Sequence, residues 1–185
     1  MRKVIFAINN TLDGSAEHTA VIADDELHDF FTNYLKSIDI VLLGRKTYEM
    51  MAGYWPHAKE DPRSTKSEIE FADEFNSIAK VVFSNTLKKV DWENSVLADK
   101  NLPELVTELK NQSGKNISAG SLSIASQLFK LNLIDEFWFV VHPVVTGKGP
   151  RLFDGIDVNT KLQFIDSQKF SSGAVVLHYK KNESD

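Results

Sequence analysis

Short apolar runs alternate with segments of helical periodicity along the first two thirds of the chain. Val4–Ile8, Ile40–Leu43 and Lys80–Ser84 each have the length and composition of a strand buried on both faces. Between the first two runs, apolar residues recur at the helical spacing i, i+3, i+4, i+7, i+8 and i+11, and they are Leu27, Phe30, Phe31, Tyr34, Leu35 and Ile38. This alternation predicts an α/β domain with a mainly parallel central sheet.

The C-terminal third is richer in strands. Phe137–Val141 is a further apolar run, and Leu162–Phe170 and Ala174–Lys180 flank a Ser-Ser-Gly turn. Two strands around a short glycine-containing turn predict a hairpin, so we expect antiparallel strands at this end of the sheet. No linker or repeat divides the chain. We therefore expect one domain over residues 1–180 and a flexible tail over residues 181–185.

Composition excludes several function classes. The 185 residues contain no cysteine, so disulfides, thiolate nucleophiles and cysteine metal sites are ruled out, and the five histidines lack metal-ligand spacing. The formal net charge of −5 disfavours broad nucleic-acid binding. No apolar run approaches the roughly 20 residues of a membrane span, and the N-terminal run is too short for a signal peptide. We expect a cytoplasmic protein without metal, membrane or nucleic-acid partners.

Three predicted strands end in loops of similar chemistry. Gly44–Thr47 follows the second strand, Ser84–Thr86 the third, and Gly120–Ser123 lies between a strand and a helix. Glycine allows close approach of the backbone to a ligand, and helix N-termini attract phosphate. Taken singly, each loop is also explained as a tight turn with solvated cations. Because the carboxyl ends of parallel strands share one edge, the three together predict a site for a ligand with several phosphates, such as a dinucleotide.

Other nucleotide and hydrolase motifs are absent from the sequence. Gly147-Lys148-Gly149 is followed by Pro150 rather than by a helix start, so it is not a dinucleotide fingerprint. The chain has neither a G-x-x-x-x-G-K-[ST] phosphate loop nor a G-x-S-x-G nucleophile elbow.

The order of these loops resembles the dihydrofolate reductases, and most closely the reductase domain of riboflavin-biosynthesis proteins and its stand-alone bacterial relatives. The stretches that carry the resemblance are Thr11–Gly14, Gly44–Glu49, Tyr54–Pro56, Leu133–Glu136 and Pro143–Gly149 with Leu152-Phe153. The resemblance covers nearly the whole chain. It implies the three-layer dihydrofolate reductase-like fold, a small-molecule substrate, NADPH as cofactor and a homodimer.

The resemblance also assigns cofactor-binding residues. It implies that the phosphates are held by Gly44, Arg45, Lys46 and Thr47. It implies that Ser84 and Asn85 lie by the adenosine ribose and its 2′-phosphate, with Lys88 and Lys89 within reach, and that the pyrophosphate and nicotinamide are lined by Gly120, Ser121, Leu122 and Ser123. This sequence departs from the family pattern at Ser121, which stands where a second glycine is usual.

A second departure concerns catalysis. Dihydrofolate reductases carry a carboxylate on the first long helix, and that position falls at or near His28 in this sequence. The helical spacing places Asp24 and His28 on the flank of the buried face, which makes them the candidates for proton donation or substrate contact. The alternative is that Asp24 serves only as the helix N-cap and His28 as a boundary residue.

Three functions follow from these observations. The first is an NADPH-dependent reductase of a small heterocyclic, imine or carbonyl compound, with a pteridine- or pyrimidine-like ring. The second is a nucleotide-binding module on the same fold without turnover, which the two departures favour. The third is a dimeric interaction protein, with the aromatic run Phe137–Phe139 pairing across a two-fold axis.

Overall fold

The eight strands of the described part of the chain belong to one sheet. The structure is a computed structural model that describes residues 1–156 and 159–182. The strands are β1 (Val4–Thr11), β2 (Ile38–Gly44), β3 (Ala79–Phe83), β4 (Ser95–Leu97), β5 (Asn116–Ala119), β6 (Glu136–His142), β7 (Leu162–Lys169) and β8 (Val175–Lys181). Their order across the sheet is β4-β3-β2-β5-β1-β6-β8-β7. The first six strands are parallel, and β8 and β7 continue the sheet in the antiparallel sense.

Helices cover both faces of the sheet and give the domain three layers. They are α1 (Asp25–Lys36), α2 (Arg45–Ala52), α3 (Lys66–Ser77), α4 (Leu102–Lys110) and α5 (Leu122–Lys130). On one face, Leu35 of α1, Tyr48 of α2 and Phe75 of α3 pack with β2 and β3. On the opposite face, α4 and α5 pack against the strands through residues such as Val106 and Leu128. This arrangement confirms the predicted α/β class with a mainly parallel sheet.

Local sequence explains where the two longest helices begin. The Asp24 carboxylate accepts a hydrogen bond from the Leu27 amide and caps α1. Thr65 and Glu68 form a reciprocal capping box at the start of α3. These caps satisfy amide groups that a helix N-terminus leaves without partners.

Several predicted boundaries need correction. The segment predicted as a loop after Gly53 contains a 3₁₀-helix, Trp55–Glu60, because Trp55 packs against Phe71 of α3 with ring centroids 4.4 Å apart.

β6 lies between β1 and β8, so the backbone of Phe137–Phe139 has no free edge for pairing across a two-fold axis. The strand β8 runs to Lys181, which pairs with Leu162. Of the predicted tail, residues 183–185 lie outside the described part of the chain. No helix in the described part is long and apolar enough to cross a bilayer.

Candidate functional site

The sheet opens between β1 and β5. β1 pairs with β5 only at Val4–Ile117 and Ile5–Ser118, whereas it pairs with β6 from Ile5 to Thr11. Towards its carboxyl end, β1 therefore diverges from β5. The connections through α1 and α5 leave this point on opposite faces of the sheet, which makes it the topological switch point where ligands of open α/β sheets bind.

The three predicted cofactor loops lie together at this edge. Gly44 at the end of β2 pairs with Phe83 at the end of β3, and Leu42 pairs with Ala119 at the end of β5. The loops that begin at Gly44, Ser84 and Gly120 are consequently neighbours on one rim. The rim runs from β3 to the crevice beside β1.

Two glycines on this rim lie where a side chain would meet neighbouring atoms. A Cβ atom on Gly120 would overlap the Val41 Cγ1 atom and lie 2.9 Å from the Leu43 Cδ2 atom. A Cβ atom on Gly44 would lie 2.5 Å from the Ser123 hydroxyl. The loop after β5 approaches β2 this closely only because Gly120 lacks a side chain, whereas rotation of the Ser123 side chain would relieve the contact at Gly44.

Ser121, the departure from the family pattern, joins two of these loops. Its buried hydroxyl accepts a hydrogen bond of 3.0 Å from the Gly44 amide and lies 3.4 Å from the Ser123 hydroxyl. Neither α2 nor α5 has a side-chain cap at its N-terminus. The first-turn amides of both helices therefore point to the rim without side-chain acceptors, and such amides favour anions.

Cationic and hydroxyl side chains surround these amides. Arg45 is 41% exposed and forms an ion pair of 3.0 Å with Glu49, while Lys46 is exposed. Ser84 accepts hydrogen bonds from the amides of Thr86 and Leu87, so it shapes its own loop. The candidates that also lie on these loops are the half-buried Thr47 and Leu122, the exposed Asn85 and the exposed Lys88. Lys89 pairs with Asp91.

Asp24 and His28 lie at the rim end of α1. The Asp24 carboxylate is engaged as the helix cap, 2.8 Å from the Leu27 amide. The His28 ring packs against Trp55 and Phe71, and its Nδ1 atom is buried without a hydrogen-bond partner among the described residues. His28 thus faces the α3 side of α1 and carries a polar atom that needs a partner.

His142, which the sequence did not mark as a candidate, ends β6 at the same edge. This side chain is fully buried; its Nδ1 atom accepts a 3.3 Å hydrogen bond from the Ile22 amide, and its Nε2 atom is 3.0 Å from the Asn9 amide oxygen. Nδ1 must be the acceptor, so the neutral tautomer donates from Nε2 to Asn9. Burial lowers the pKa of His142, and the charge of Asp24 opposes that change. Its position at the end of an apolar strand is the sequence feature that could have placed His142 at this edge.

Two loops predicted separately form one structure beside the crevice. The Asp13 carboxylate accepts hydrogen bonds from the Thr11 hydroxyl at 2.6 Å and the Gly147 amide at 2.9 Å. These bonds lower the pKa of Asp13, with the Thr11 hydroxyl as the largest cause. The Arg151 side chain donates to the Asp13 carbonyl at 2.8 Å. These hydrogen bonds hold the loop after β6 against the loop after β1, and we call the contact between Asp13, Gly147 and Arg151 the strap.

A small cavity of about 220 Å³ lies between this strap and the first turn of α5. Its polar lining includes Ser123, Ser126 and Arg151. Phe153 also lines it and has a φ angle of +60°, which is uncommon for a bulky residue and is found where surrounding contacts fix the backbone. Within the described part of the chain, no group of three acidic or histidine side chains is placed to hold a metal ion.

Comparison with known proteins places the chain in a family. The RibD C-terminal domain matches residues 2–176. Uncharacterized protein YyaP of Bacillus subtilis (strain 168) is 34% identical over 187 residues, covering 98% of this chain and 96% of YyaP.

Two solved structures share the fold. A putative riboflavin biosynthesis protein from Shewanella sp. PV-4 has a TM-score of 0.73 at 18% identity, with 99% of this chain and all of that chain covered. Dihydrofolate reductase from Enterococcus faecalis, complexed with NADP(H), has a TM-score of 0.60 at 13% identity, with 98% and 97% covered. The chain belongs to the RibD C-terminal domain family, a reductase-type family with the dihydrofolate reductase-like fold.

Proposed function

We propose that the protein is an NADPH-dependent reductase of a small heterocyclic, imine or carbonyl compound. The observation that carries this proposal is the convergence of the loops at Gly44, Ser84 and Gly120 on one rim beside the β1–β5 crevice. NADPH carries a pyrophosphate and a separate 2′-phosphate. This rim offers uncapped helix amides, Arg45 and Lys46 as partners for such anionic groups.

The site residues suit the parts of such a cofactor. The amides of α2 and α5, with Gly44–Thr47 and Gly120–Ser123, would hold the pyrophosphate. Ser84 and Asn85 would contact the adenosine ribose, and Lys88 would attract the 2′-phosphate that distinguishes NADPH from NADH. The cofactor supplies the hydride, and the chain binds it, orients the substrate and provides a proton.

His28 is the proposed contact for substrate or proton. Its Nδ1 atom is a buried polar atom without a partner among the described residues, and burying such an atom costs about 1–3 kcal/mol unless a ligand or water bonds to it. A planar ring with an N–H or C=O group would satisfy this atom. Asp24 is the second candidate for this contact, and its carboxylate also accepts a hydrogen bond from the Leu27 amide as the cap of α1.

One observation favours the alternative, a nucleotide-binding module without turnover. The Asp24 carboxylate is occupied as a cap, so the rim end of α1 offers an imidazole where dihydrofolate reductases have a carboxylate. The cofactor rim would still bind nucleotide. Slow oxidation of bound NADPH by dihydrofolate or by members of a pteridine panel would favour the reductase, whereas binding without any oxidation would favour the module.

We also propose a cytoplasmic homodimer. The outer strand β7 has an edge that pairs with no other described strand, and its side chains Phe164 and Ile165 are 54% and 42% exposed. A long strand edge with exposed apolar residues favours pairing with another chain. Sedimentation of the wild-type chain beside a Phe164→Lys variant tests this.

Titration with NADPH and NADH, followed by reduced-nicotinamide fluorescence, tests the proposed function. We expect tighter binding of NADPH. Arg45→Ala should weaken NADPH binding by about 1.5–3 kcal/mol, the range for a hydrogen bond to a charged group, or about 10- to 150-fold. Arg63→Ala is the matched control, because Arg63 is exposed and pairs with Asp61 within its own loop. Equal effects of the two substitutions would contradict the proposal, and so would the absence of binding of either cofactor.

A further inference from the structure

Asn9 is a half-buried residue of β1 to which the proposed function gives no role. In the strand register it stands opposite Val140, and Val140 packs with Leu27 of α1. Residues that pair in register place their side chains on the same face of a sheet, so Asn9 lies on the face that α1 covers. It also lies beyond Ile5, the last residue at which β1 pairs with β5. Asn9 therefore borders the crevice on the side of α1.

His142 fixes the direction of the Asn9 amide. The His142 Nδ1 atom accepts a hydrogen bond from the Ile22 amide at 3.3 Å, so the neutral ring carries its proton on Nε2. The Nε2 atom lies 3.0 Å from the Asn9 Oδ1 atom and donates to it. The reverse orientation of the amide would set its NH2 group against the N–H group of the ring, and two donors do not bond to each other.

The nitrogen of the Asn9 amide remains as a donor. Oδ1 and Nδ2 diverge from one carbon atom, so a hydrogen bond from His142 to Oδ1 turns Nδ2 away from the histidine ring. Within the described part of the chain, Oδ1 has this partner and Nδ2 donates to no other residue. An amide NH2 group has two hydrogens that need acceptors, which here come from solvent or from a ligand in the crevice.

The charges near Asn9 disfavour an anionic ligand atom at this point. Burial lowers the pKa of His142 and keeps its ring neutral, and the carboxylate of Asp24 lies close enough to oppose that change. A phosphate or carboxylate group bound at Asn9 would therefore be repelled by Asp24. A neutral carbonyl oxygen would accept a hydrogen bond from Nδ2 without this repulsion.

We propose that Asn9 is a specificity-determining residue, which donates from Nδ2 to a neutral carbonyl oxygen of the substrate, and that His142 is its positioning residue. Among the heterocycles considered above, pyrimidine- and pteridine-like rings carry such a carbonyl within a cyclic amide. The substrate class is thus narrowed to neutral cyclic amides. This inference rests on the proposed reductase function, which supplies the planar ring.

Titration of the full chain with uracil, followed by NMR, tests the contact. Uracil is a neutral cyclic amide, and the side-chain NH2 group of Asn9 gives its own pair of signals. The titration is carried out with and without NADP⁺, which has no hydride to transfer. Orotate, the same ring with a carboxylate, is the comparison ligand. We expect saturable shifts of the Asn9 NH2 signals with uracil and weaker binding of orotate.

Asn9→Asp removes the donor and keeps an acceptor for the His142 ring. The matched control is Asn33→Asp, because Asn33 is exposed on α1 and its substitution changes the net charge by the same amount. We expect Asn9→Asp to bind uracil at least about tenfold more weakly than wild type and the control to remain within about twofold.

Two substitutions of His142 test its positioning role. His142→Gln retains a side-chain donor for the Asn9 oxygen and should keep more uracil affinity than His142→Leu, which has none. Equal affinities of these two variants would overturn the positioning role. Asn9→Asp tests the contact itself if a His142 variant does not fold.

Equal losses in Asn9→Asp and Asn33→Asp would overturn the proposal, and so would tighter binding of orotate than of uracil. The absence of binding at millimolar uracil, or binding that leaves the Asn9 NH2 signals in place, would overturn it as well. The proposed function fails separately. A wild type that binds neither NADPH nor NADH refutes the reductase, whereas one that binds NADPH but whose Asn9 signals do not respond to uracil refutes only this inference.

Discussion

Gly120→Ala is the substitution that most sharply tests the packing of the rim. Gly120 follows β5 and lies against β2, where its amide donates to the Leu42 carbonyl at 2.9 Å. An added methyl group would meet Val41 Cγ1, Leu43 Cδ2 at 2.9 Å and the Leu42 carbonyl oxygen at 3.2 Å. Val41 and Leu43 are almost fully buried, and one of the three atoms is backbone, so the neighbours have little room to move.

Overpacking of this kind costs about 1–3 kcal/mol of unfolding free energy. Urea denaturation of wild type and variant measures this loss through the midpoint. Gly53→Ala is the matched control, because its Cβ atom would lie 3.5 Å from its nearest neighbours and its φ angle of −74° suits alanine. We expect Gly53→Ala to leave the unfolding free energy unchanged or slightly higher.

A double-mutant cycle identifies the cause of the loss. Val41→Ala removes the Cγ1 atom that the new methyl group would strike. The cost of Gly120→Ala should therefore be smaller in the Val41→Ala background than in wild type, by about 1 kcal/mol. The reasoning is refuted if Gly120→Ala is as stable as Gly53→Ala, or if its cost is the same in both backgrounds.

Three further predictions concern Lys80, Asp13 and Ser121. Burial lowers the pKa of Lys80 to about 8 from 10.5, so the unfolded chain binds this proton more strongly than the folded chain. The unfolding free energy should therefore rise between about pH 8 and pH 10.5, by at most about 3 kcal/mol. Urea midpoints at both ends of this range should show the rise in wild type and a smaller rise in Lys80→Met. The lowered pKa of Asp13 means that its strap is present above the ordinary carboxyl pKa and is lost as pH falls through the folded value. Asp13→Asn should accordingly speed amide exchange at Gly147 near neutral pH, while Asp154→Asn on the same loop should not. Ser121→Ala leaves the Gly44 amide without its acceptor, which should cost about 1 kcal/mol in urea denaturation, and an unchanged midpoint would contradict this.

Helices and strands were predictable from sequence because buried residues recur along the chain at a spacing that differs between the two element types. Leu27, Phe30 and Tyr34 recur at the helical spacing since α1 has one buried stripe, and Ile40–Leu43 is continuously apolar since β2 is covered on both faces. The Ser-Ser-Gly turn likewise predicted the β7–β8 hairpin, which the structure confirms.

Other features depend on contacts between residues far apart in sequence. The crevice requires the order β5-β1-β6, which no local pattern encodes. Lys80 is fully buried although lysine is rarely so, because its ammonium group reaches the carbonyls of Asn76, Ile78 and Glu93 and lies 4.4 Å from the Trp92 ring.

The candidate site shows the same division. The three rim loops could be identified from glycine and hydroxyl residues at strand ends. The contact of the Ser121 hydroxyl with the Gly44 amide links positions 77 residues apart, so sequence alone marked Ser121 only as a departure. His28 lies on the predicted flank of α1, but its neighbour Trp55 belongs to a 3₁₀-helix that the polar, proline-containing sequence concealed.

Backbone amide chemical shifts measured during titration with NADPH test the central claim most directly, because they report on all the rim loops at once. The account predicts that amides of Gly44–Thr47, Ser84–Asn85 and Gly120–Ser123 shift together with one dissociation constant. Shifts confined to one of these loops, or centred on another face of the molecule, would contradict the account.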